Sequence, residues 1–376
     1  MKVKLDKYIN EVNIRNKNNI YNDVYSVTNS EGFVESKEYF SKEVFSKDLS
    51  NYKIVMRNMM AYNPSRINVG SVAIQNKKET VIVSPLYIIF SVNQEYLLVE
   101  YLNYFLHSNI GLNQIKFLTS GSVRDNLKFS SLKNLLMPIE DIHIQKKRIE
   151  ILKKLDSLIS LKKFYIDKLN KLISSLFIEM FGNPVTNTMN FKYEKLVNLG
   201  YLGRGVSKHR PRNDPKLLGG KYPLIQTGDV AKCDLFIKSY NTTYSEIGFN
   251  QSKIWKSGTL CITIAGNIAK TGILKFNSCF PDSIVGFISN NKVNNIYIHY
   301  WFSFFQKILE MQAPESAQKN INLRILGELK VIIPSVERQN QFAKKVQQID
   351  KSKLAIQQSL EKLEILKKSL MQEYFG

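Results

Sequence analysis

The segment Asn126-Leu127-Lys128-Phe129-Ser130-Ser131-Leu132-Lys133-Asn134-Leu135-Leu136-Met137-Pro138 aligns without gaps on Asn322-Leu323-Arg324-Ile325-Leu326-Gly327-Glu328-Leu329-Lys330-Val331-Ile332-Ile333-Pro334. An internal repeat constrains architecture more than any local pattern, because a repeated segment folds as a repeated unit. Both copies read as an Asn-Leu turn, a short strand of apolar residues and a terminating proline. After a difference of two residues the correspondence resumes at an offset of 194, with Gln145 on Gln339, Asp156 on Asp350 and Phe181-Gly182 on Phe375-Gly376. Each proline is therefore followed by a long helical stretch that closes in Phe-Gly.

Both stretches carry a heptad seam. Positions 152, 155, 159, 162, 166, 169, 173, 176 and 180 have the alternating three-and-four spacing of a and d sites, and eight of the nine are apolar, Lys162 being the exception. Shifted by 194, the same seam gives Val346, Ile349, Lys353, Ile356, Leu360, Leu363, Lys367, Leu370 and Tyr374. Neither stretch contains Pro or an internal Gly, and Gly182-Asn183-Pro184 is a stop signal. The first helix, over about residues 142 to 181, would be about 60 Å long at about 1.5 Å per residue. Two matched seams of that length predict an antiparallel coiled coil, which would place the intervening modules at opposite ends. The expected class is α+β: two globular domains of short strands with a few helices, alternating with two long paired helices. The divisions are 1–140, 141–182, a linker at 183–190, 191–335 and 336–376.

Within the modules, short β-type runs alternate with turn residues. Lys53-Ile54-Val55-Met56, Ser71-Val72-Ala73-Ile74 and Thr80-Val81-Ile82-Val83 lie in the first. Tyr222-Pro223-Leu224-Ile225, Thr259 to Ile264 and Ser283 to Ile288 lie in the second. One helix closes each module, Tyr96 to Ser108 and Tyr297 to Met311. Apart from the shared tail, the two modules look diverged.

With 44% hydrophobic residues in a chain of 376, a real core is available, so the excess of 53 Lys and Arg over 32 Asp and Glu belongs to a folded protein and not to a basic tail. A formal charge of +21 points to a polyanionic partner. The apolar runs stop far short of the roughly 18 to 20 residues of a membrane span. The N-terminal residues form no apolar signal segment. Cys233, Cys261 and Cys279 are an odd, scattered set without CxxC, so neither a disulfide framework nor a zinc signature is expected, and a reducing cytoplasm is the expected compartment.

Catalytic motifs are missing where they should leave a trace. Asn63-Pro64-Ser65 and Asn183-Pro184-Val185 do not make the Asn/Asp-Pro-Pro-aromatic clamp of an adenine methyltransferase. Gly266-Asn267-Ile268-Ala269-Lys270-Thr271 has the Lys-Thr of a phosphate loop without its second glycine, and reads as a tight turn between strands. Glu35-Ser36-Lys37 is the kind of string nucleases use for metal, but recurs by chance in a Lys-rich chain. No GxSxG, HExxH or EF-hand pattern occurs, and His209 sits among cations. The sequence argues against an enzyme.

Nucleic-acid binding fits both charge and local composition. Residues 1–182 hold 26 basic and 18 acidic side chains (+8), and 183–376 hold 27 and 14 (+13). Arg204-Gly205-Val206-Ser207-Lys208-His209-Arg210-Pro211-Arg212 concentrates four fixed cations beside Gly and Pro, on a loop able to follow a phosphate backbone. In the first module Lys53, Arg57, Asn58, Tyr62, Asn63 and Arg66 interleave cations, amides and an aromatic. Arg and Asn are the side chains that read guanine and adenine edges bidentately.

The whole chain resembles the specificity subunits of type I restriction-modification enzymes. The resemblance is carried by Gly121-Ser122-Val123-Arg124-Asp125-Asn126-Leu127 and Ser316-Ala317-Gln318-Lys319-Asn320-Ile321-Asn322-Leu323, each leading to an apolar run, a proline and then Gln145 or Glu337-Arg338-Gln339. Tyr222-Pro223-Leu224-Ile225-Gln226-Thr227-Gly228-Asp229-Val230 and Met60-Ala61-Tyr62-Asn63-Pro64 add to it. The first module lacks the Gly-Asp string of the second. The resemblance implies a non-catalytic reader of double-stranded DNA in which each target-recognition domain takes one half of a split asymmetric site. The helices would dock two methyltransferase subunits, through which restriction subunits join. S-adenosylmethionine, ATP and Mg would belong to those partners and not to this chain. About 60 Å of helix would cap the half-site gap at roughly 17 base pairs. Expected DNA contacts are Lys53, Arg57, Asn58, Tyr62, Asn63, Arg66 and Arg124 in the first domain. In the second they are Arg204, Lys208, Arg210, Arg212, Thr227, Lys270, Lys319 and Asn320. The alternatives are a stand-alone two-module DNA-binding regulator and a nuclease whose centre carries no recognised motif.

Overall fold

The computed structural model describes residues 2–40, 45–119, 126–266, 268–312 and 321–376. It divides into two compact units, residues 1–164 with 357–376, and residues 165–356. Short strands with a few short helices among them alternate with long helices along the chain, in agreement with the α+β class.

The heptad seams become two helices of 40 residues each, Ile142–Phe181 and Val336–Phe375. Every one of the eighteen seam positions is buried or half-buried, the three lysines included. Within the first unit Lys163 meets Glu364 at 3.2 Å, and Arg148 donates to the Tyr374 carbonyl at 3.2 Å. Within the second, Phe177 packs on Phe342 with ring centroids 5.5 Å apart. In both units the partner's number falls as the helix number rises, so the helices pack antiparallel.

In the first unit, strand Lys2–Lys4 pairs antiparallel with Leu136–Pro138, the apolar run of the repeat. A four-stranded sheet follows in the order Ile9–Val12, Ile88–Val92, Met60–Tyr62, Val72–Ile74. Helices Val99–His107 and Asn109–Thr119 cover it, and their apolar faces join Leu152, Met371 and Phe375 of the long helices in one core.

The second unit repeats the frame. Strand Lys192–Lys195 pairs with Lys330–Ile333, and Gly200–Arg204 pairs with Ile284–Ser289 as Ile9–Val12 does with Ile88–Val92. The five-stranded sheet runs Gly200–Arg204, Ile284–Ser289, Leu260–Thr263, Thr271–Leu274, Phe236–Ile237, and helix Asn295–Gln312 follows. A further four-stranded sheet holds Thr242–Tyr244, Leu218–Leu224, Ser278–Cys279 and Ile254–Trp255. The modules are thus closer in structure than their sequences look. Interior strand positions require only apolar side chains of fitting volume, so the letters drift while the pairing stays.

One joint is repeated atom for atom. Gln145, fully buried, accepts the Leu98 amide at 2.9 Å and donates to the Tyr96 and Glu140 carbonyls at 2.8 and 2.7 Å. Gln339, equally buried, accepts the Asn294 amide at 2.9 Å and donates to the Lys292 and Pro334 carbonyls at 3.2 and 3.0 Å. Each glutamine ties the first turn of a long helix to the strand-to-helix corner of its own domain.

Candidate nucleic-acid interface

The cation-rich loop of the second domain leaves the sheet at Gly205, where a Cβ would lie 2.2 Å from the Phe280 carbonyl oxygen, so only glycine passes. Beyond it the backbone is pinned from several sides. Gly205 and Val206 donate to the Ile284 and Phe280 carbonyls at 2.9 and 3.1 Å. Gln251 Oε1 accepts the amides of Lys208 and His209, and Ser252 Oγ donates to the Val206 carbonyl at 2.8 Å. Asp214 closes the loop, accepting the Lys216 amide at 3.0 Å and meeting the His209 ring at 3.0 Å. These bonds hold the Asp214 carboxyl below the usual carboxylate range.

The loop's arginines converge on Asp282. Arg204 Nε donates to its backbone carbonyl at 3.0 Å, Arg210 Nη2 lies 3.5 Å from one carboxylate oxygen, and Arg212 Nη2 binds the other. Arg210 also donates through Nη1 to the carbonyls of Ser207 and His209, at 2.6 and 2.9 Å, folding back onto its own loop. Lys208 is exposed. Arg212 and Thr227, predicted separately, line one pocket of about 240 Å³ with Ser207, Gln226 and Ser283. Lys270 lies elsewhere: its ammonium binds Gln306 at 3.0 Å in another pocket, lined also by Cys233, Asp234 and His299. Burial pushes the Cys233 thiol up to about 12, so it is no nucleophile at neutral pH.

In the first domain the predicted residues separate. Arg57 and Asn58 form the turn before strand Met60–Tyr62, and Asn63 and Arg66 the turn after it, at opposite ends of that strand. Arg57 pairs with Glu79 at 2.6 Å, and Asn58 adopts a left-handed conformation at φ 66° that makes the turn. Asn63 caps its own turn through the Ser65 amide at 3.1 Å, while Arg66 is exposed. Lys53 donates to the Tyr87 carbonyl at 2.7 Å, and burial lowers its pKa. Tyr62 requires a correction: it is 0% exposed, with its hydroxyl on the Leu127 carbonyl at 3.1 Å, so it is a core residue and does not face DNA. Arg124, Lys319 and Asn320 lie outside the described residues.

Sequence reasoning missed four residues of these loops and turns. Asp282 and Gln251 stand far along the chain from the loop they organise. Lys77 and Lys78, exposed in the turn beside Arg57, were visible as a basic pair between two strands.

The outer face of the first long helix is apolar at a period of seven. Ile144, Ile151, Leu158 and Leu172 are 42, 43, 44 and 51% exposed, with exposed Tyr165 completing the spacing. Among the described residues no cluster of His, Cys, Asp and Glu could hold a metal ion, and no helix is long and apolar enough to cross a membrane.

Comparison with known proteins agrees with this geometry. The family model described as type I restriction modification DNA specificity domain matches residues 3–171 and again residues 194–366. A protein of Methanocaldococcus jannaschii assigned as the specificity subunit of the type I restriction enzyme MjaX is 22% identical over 368 aligned positions, covering 92% of this chain and 85% of that one. Among solved structures, the type I restriction-modification S subunit of M. genitalium aligns with 100% of this chain and 96% of its own, at 14% identity and a TM-score of 0.62. A chain from a structure describing complex assembly and conformational transition of the type I system aligns over 100% and 97%, at 14% identity and a TM-score of 0.59.

Proposed function

The chain belongs to the type I restriction-modification DNA specificity family, its role being DNA sequence recognition, and on that premise we propose that it reads a bipartite, asymmetric DNA site, one half with each domain. The observation that carries this reading is the duplicated domain-helix joint at Gln145 and Gln339, which sets two unlike loop surfaces on one repeated frame. Cations on the loops supply sequence-independent affinity by releasing counterions, and a few side chains at base edges supply the discrimination.

The chain itself does no chemistry on this reading. Methyl transfer belongs to methyltransferase subunits docked on the helices, with S-adenosylmethionine, ATP and Mg bound by the partner subunits. The period-seven apolar face of Ile144, Ile151, Leu158 and Leu172 has the form that accepts a partner helix. Restriction subunits join through the methyltransferase.

Co-expression with a type I methyltransferase subunit from the same host, followed by methylation-sensitive sequencing of host DNA, tests the reading. A split methylated motif that disappears when this chain is deleted is the expected result. No stable complex and no motif would overturn it in favour of a free-standing DNA-binding protein.

A further inference from the structure

Asp282 is out of place on a surface that binds a polyanion, because a carboxylate there repels phosphate and lowers affinity for every DNA. It is half-buried, its side chain 32% exposed, and its carboxylate meets Arg210 and Arg212 while its backbone carbonyl accepts Arg204. The three are held differently. Arg210 gives Nη1 to two carbonyls of its own loop and Nη2 to Asp282, which leaves little of its guanidinium to offer. Arg204 is held through Nε, which leaves its two terminal amino groups with no bond to a described residue. Arg212 is held through Nη2, which leaves the remaining donors of its fork. Beside Arg212, Ser207 is 5% exposed and lines the 240 Å³ pocket. Its buried Oγ has no hydrogen-bond partner among the described residues, a polar group set for a polar ligand.

We propose that the Asp282 side chain is a positioning group that orients Arg212 to read a guanine edge in the half-site of the second domain, while Arg204, held on the Asp282 backbone carbonyl, and Arg210 fix the loop around it. The inference rests on the DNA-reading function above and adds to it which side chains read bases. A guanidinium clamped along one edge presents a fixed fork, and a fixed fork matches the O6 and N7 acceptors of guanine while refusing adenine's amino group. Asp282 thereby lowers non-specific affinity and raises discrimination together. A loop that merely held phosphates would gain nothing from the carboxylate.

The test uses the complex of the full chain with its methyltransferase and the motif found by methylation sequencing. Asp282→Asn, Arg212→Ala and the wild type are compared for methylation of every single-base variant of the motif, and for binding to motif and scrambled duplexes. Asp282→Asn is expected to bind scrambled DNA more tightly and to lose about tenfold or more in discrimination. The loss should fall on one G·C position in the second half-site, with the first half-site unchanged. Arg212→Ala should relax that same position, and Asp282→Glu, which keeps the carboxylate, should restore part of the preference. Equal weakening of both duplexes by Asp282→Asn, with base preference intact, would show a merely structural carboxylate. Should Asp282→Asn fail to fold, Arg212→Ala decides alone: a uniform loss at all positions makes it a phosphate contact and overturns the proposal. A wild-type complex that yields no motif overturns the parent reading instead.

Discussion

Gln145 and Gln339 show the repeat acting at the level of single atoms, since each fills its amide with one backbone donor and two backbone carbonyls in a site that water does not reach. Replacing either by Ala strands those groups, and each unsatisfied buried group costs about 1–3 kcal/mol. Gln339→Ala should therefore lower the unfolding free energy by about 3 kcal/mol in a urea titration, while Gln347→Ala, exposed on the same helix, should change it by less than about 0.5 kcal/mol. His299 supplies a second residue-scale outcome. It is 8% exposed, with Nδ1 at 2.8 Å from Thr271 Oγ1, and burial lowers its pKa to about 4. Well above about pH 6.5 both folded and unfolded forms are neutral and the residue has no effect on stability. As pH falls from there to about 4, the unfolded chain takes up a proton that the folded one does not, and stability drops by roughly 3 kcal/mol. Unfolding at pH 7.5 and pH 4.5 measures it. His299→Gln should flatten that part of the profile, and an unaltered profile would assign the acid loss to other groups.

At the scale of elements, the first long helix has two apolar stripes, one buried and one exposed. Leu152, Leu155 and Ile159 are buried in the seam, whereas Ile151 and Leu158 point away from it and are 43 and 44% exposed. Ile151→Glu with Leu158→Glu should leave the helix content and melting temperature of the isolated chain nearly unchanged, yet abolish its co-purification with the methyltransferase. Leu152→Glu should unfold the first unit. If the double variant still forms the complex, docking occurs elsewhere. The helices were legible because a heptad seam is a periodic signal, repeated over forty residues and then repeated again in the second copy. The seam lysines were less so. Lys353 is 4% exposed and meets Asp234 at 3.1 Å, and Lys367 binds Asp156, so both are accommodated by carboxylates that the seam itself does not display. The recognition domains were legible as strand-rich modules but not as copies, because burial constrains apolarity and not identity. Tyr62 misled because it adjoins the polar turn Asn63-Pro64-Ser65-Arg66, whereas strand Met60–Tyr62 is buried along its whole length and the Tyr62 hydroxyl donates to the Leu127 carbonyl. Asp282 was beyond reach, since it comes to Arg212 only through the pairing of Gly200–Arg204 with Ile284–Ser289.

For the whole molecule, a charge of +21 determines how strongly DNA is held but not where on the surface it is held. Many of the cations are already neutralised internally: Arg57 by Glu79, Lys153 by Glu100, Lys195 by Glu328, Arg212 by Asp282. The charge that counts for DNA is the fraction left unpaired on the loops, and the overall basic excess is larger in residues 183–376, with 27 basic to 14 acidic, than in 1–182, with 26 to 18. Lys208 is a clear case, exposed on the loop with its backbone held by Gln251 and its ammonium bonded to no described residue. If it meets a phosphate, Lys208→Ala lowers the slope of log affinity against log salt by about 0.9 and weakens binding to motif and scrambled duplexes by the same factor. Lys154→Ala, on a long helix and paired with Glu150 at 2.6 Å, should leave the slope as it is. Titrations of the complex between about 50 and 200 mM salt separate the two. An equal fall for both variants would mean that the diffuse field of the molecule sets affinity, and an unchanged slope for Lys208→Ala would move the phosphate path off this loop.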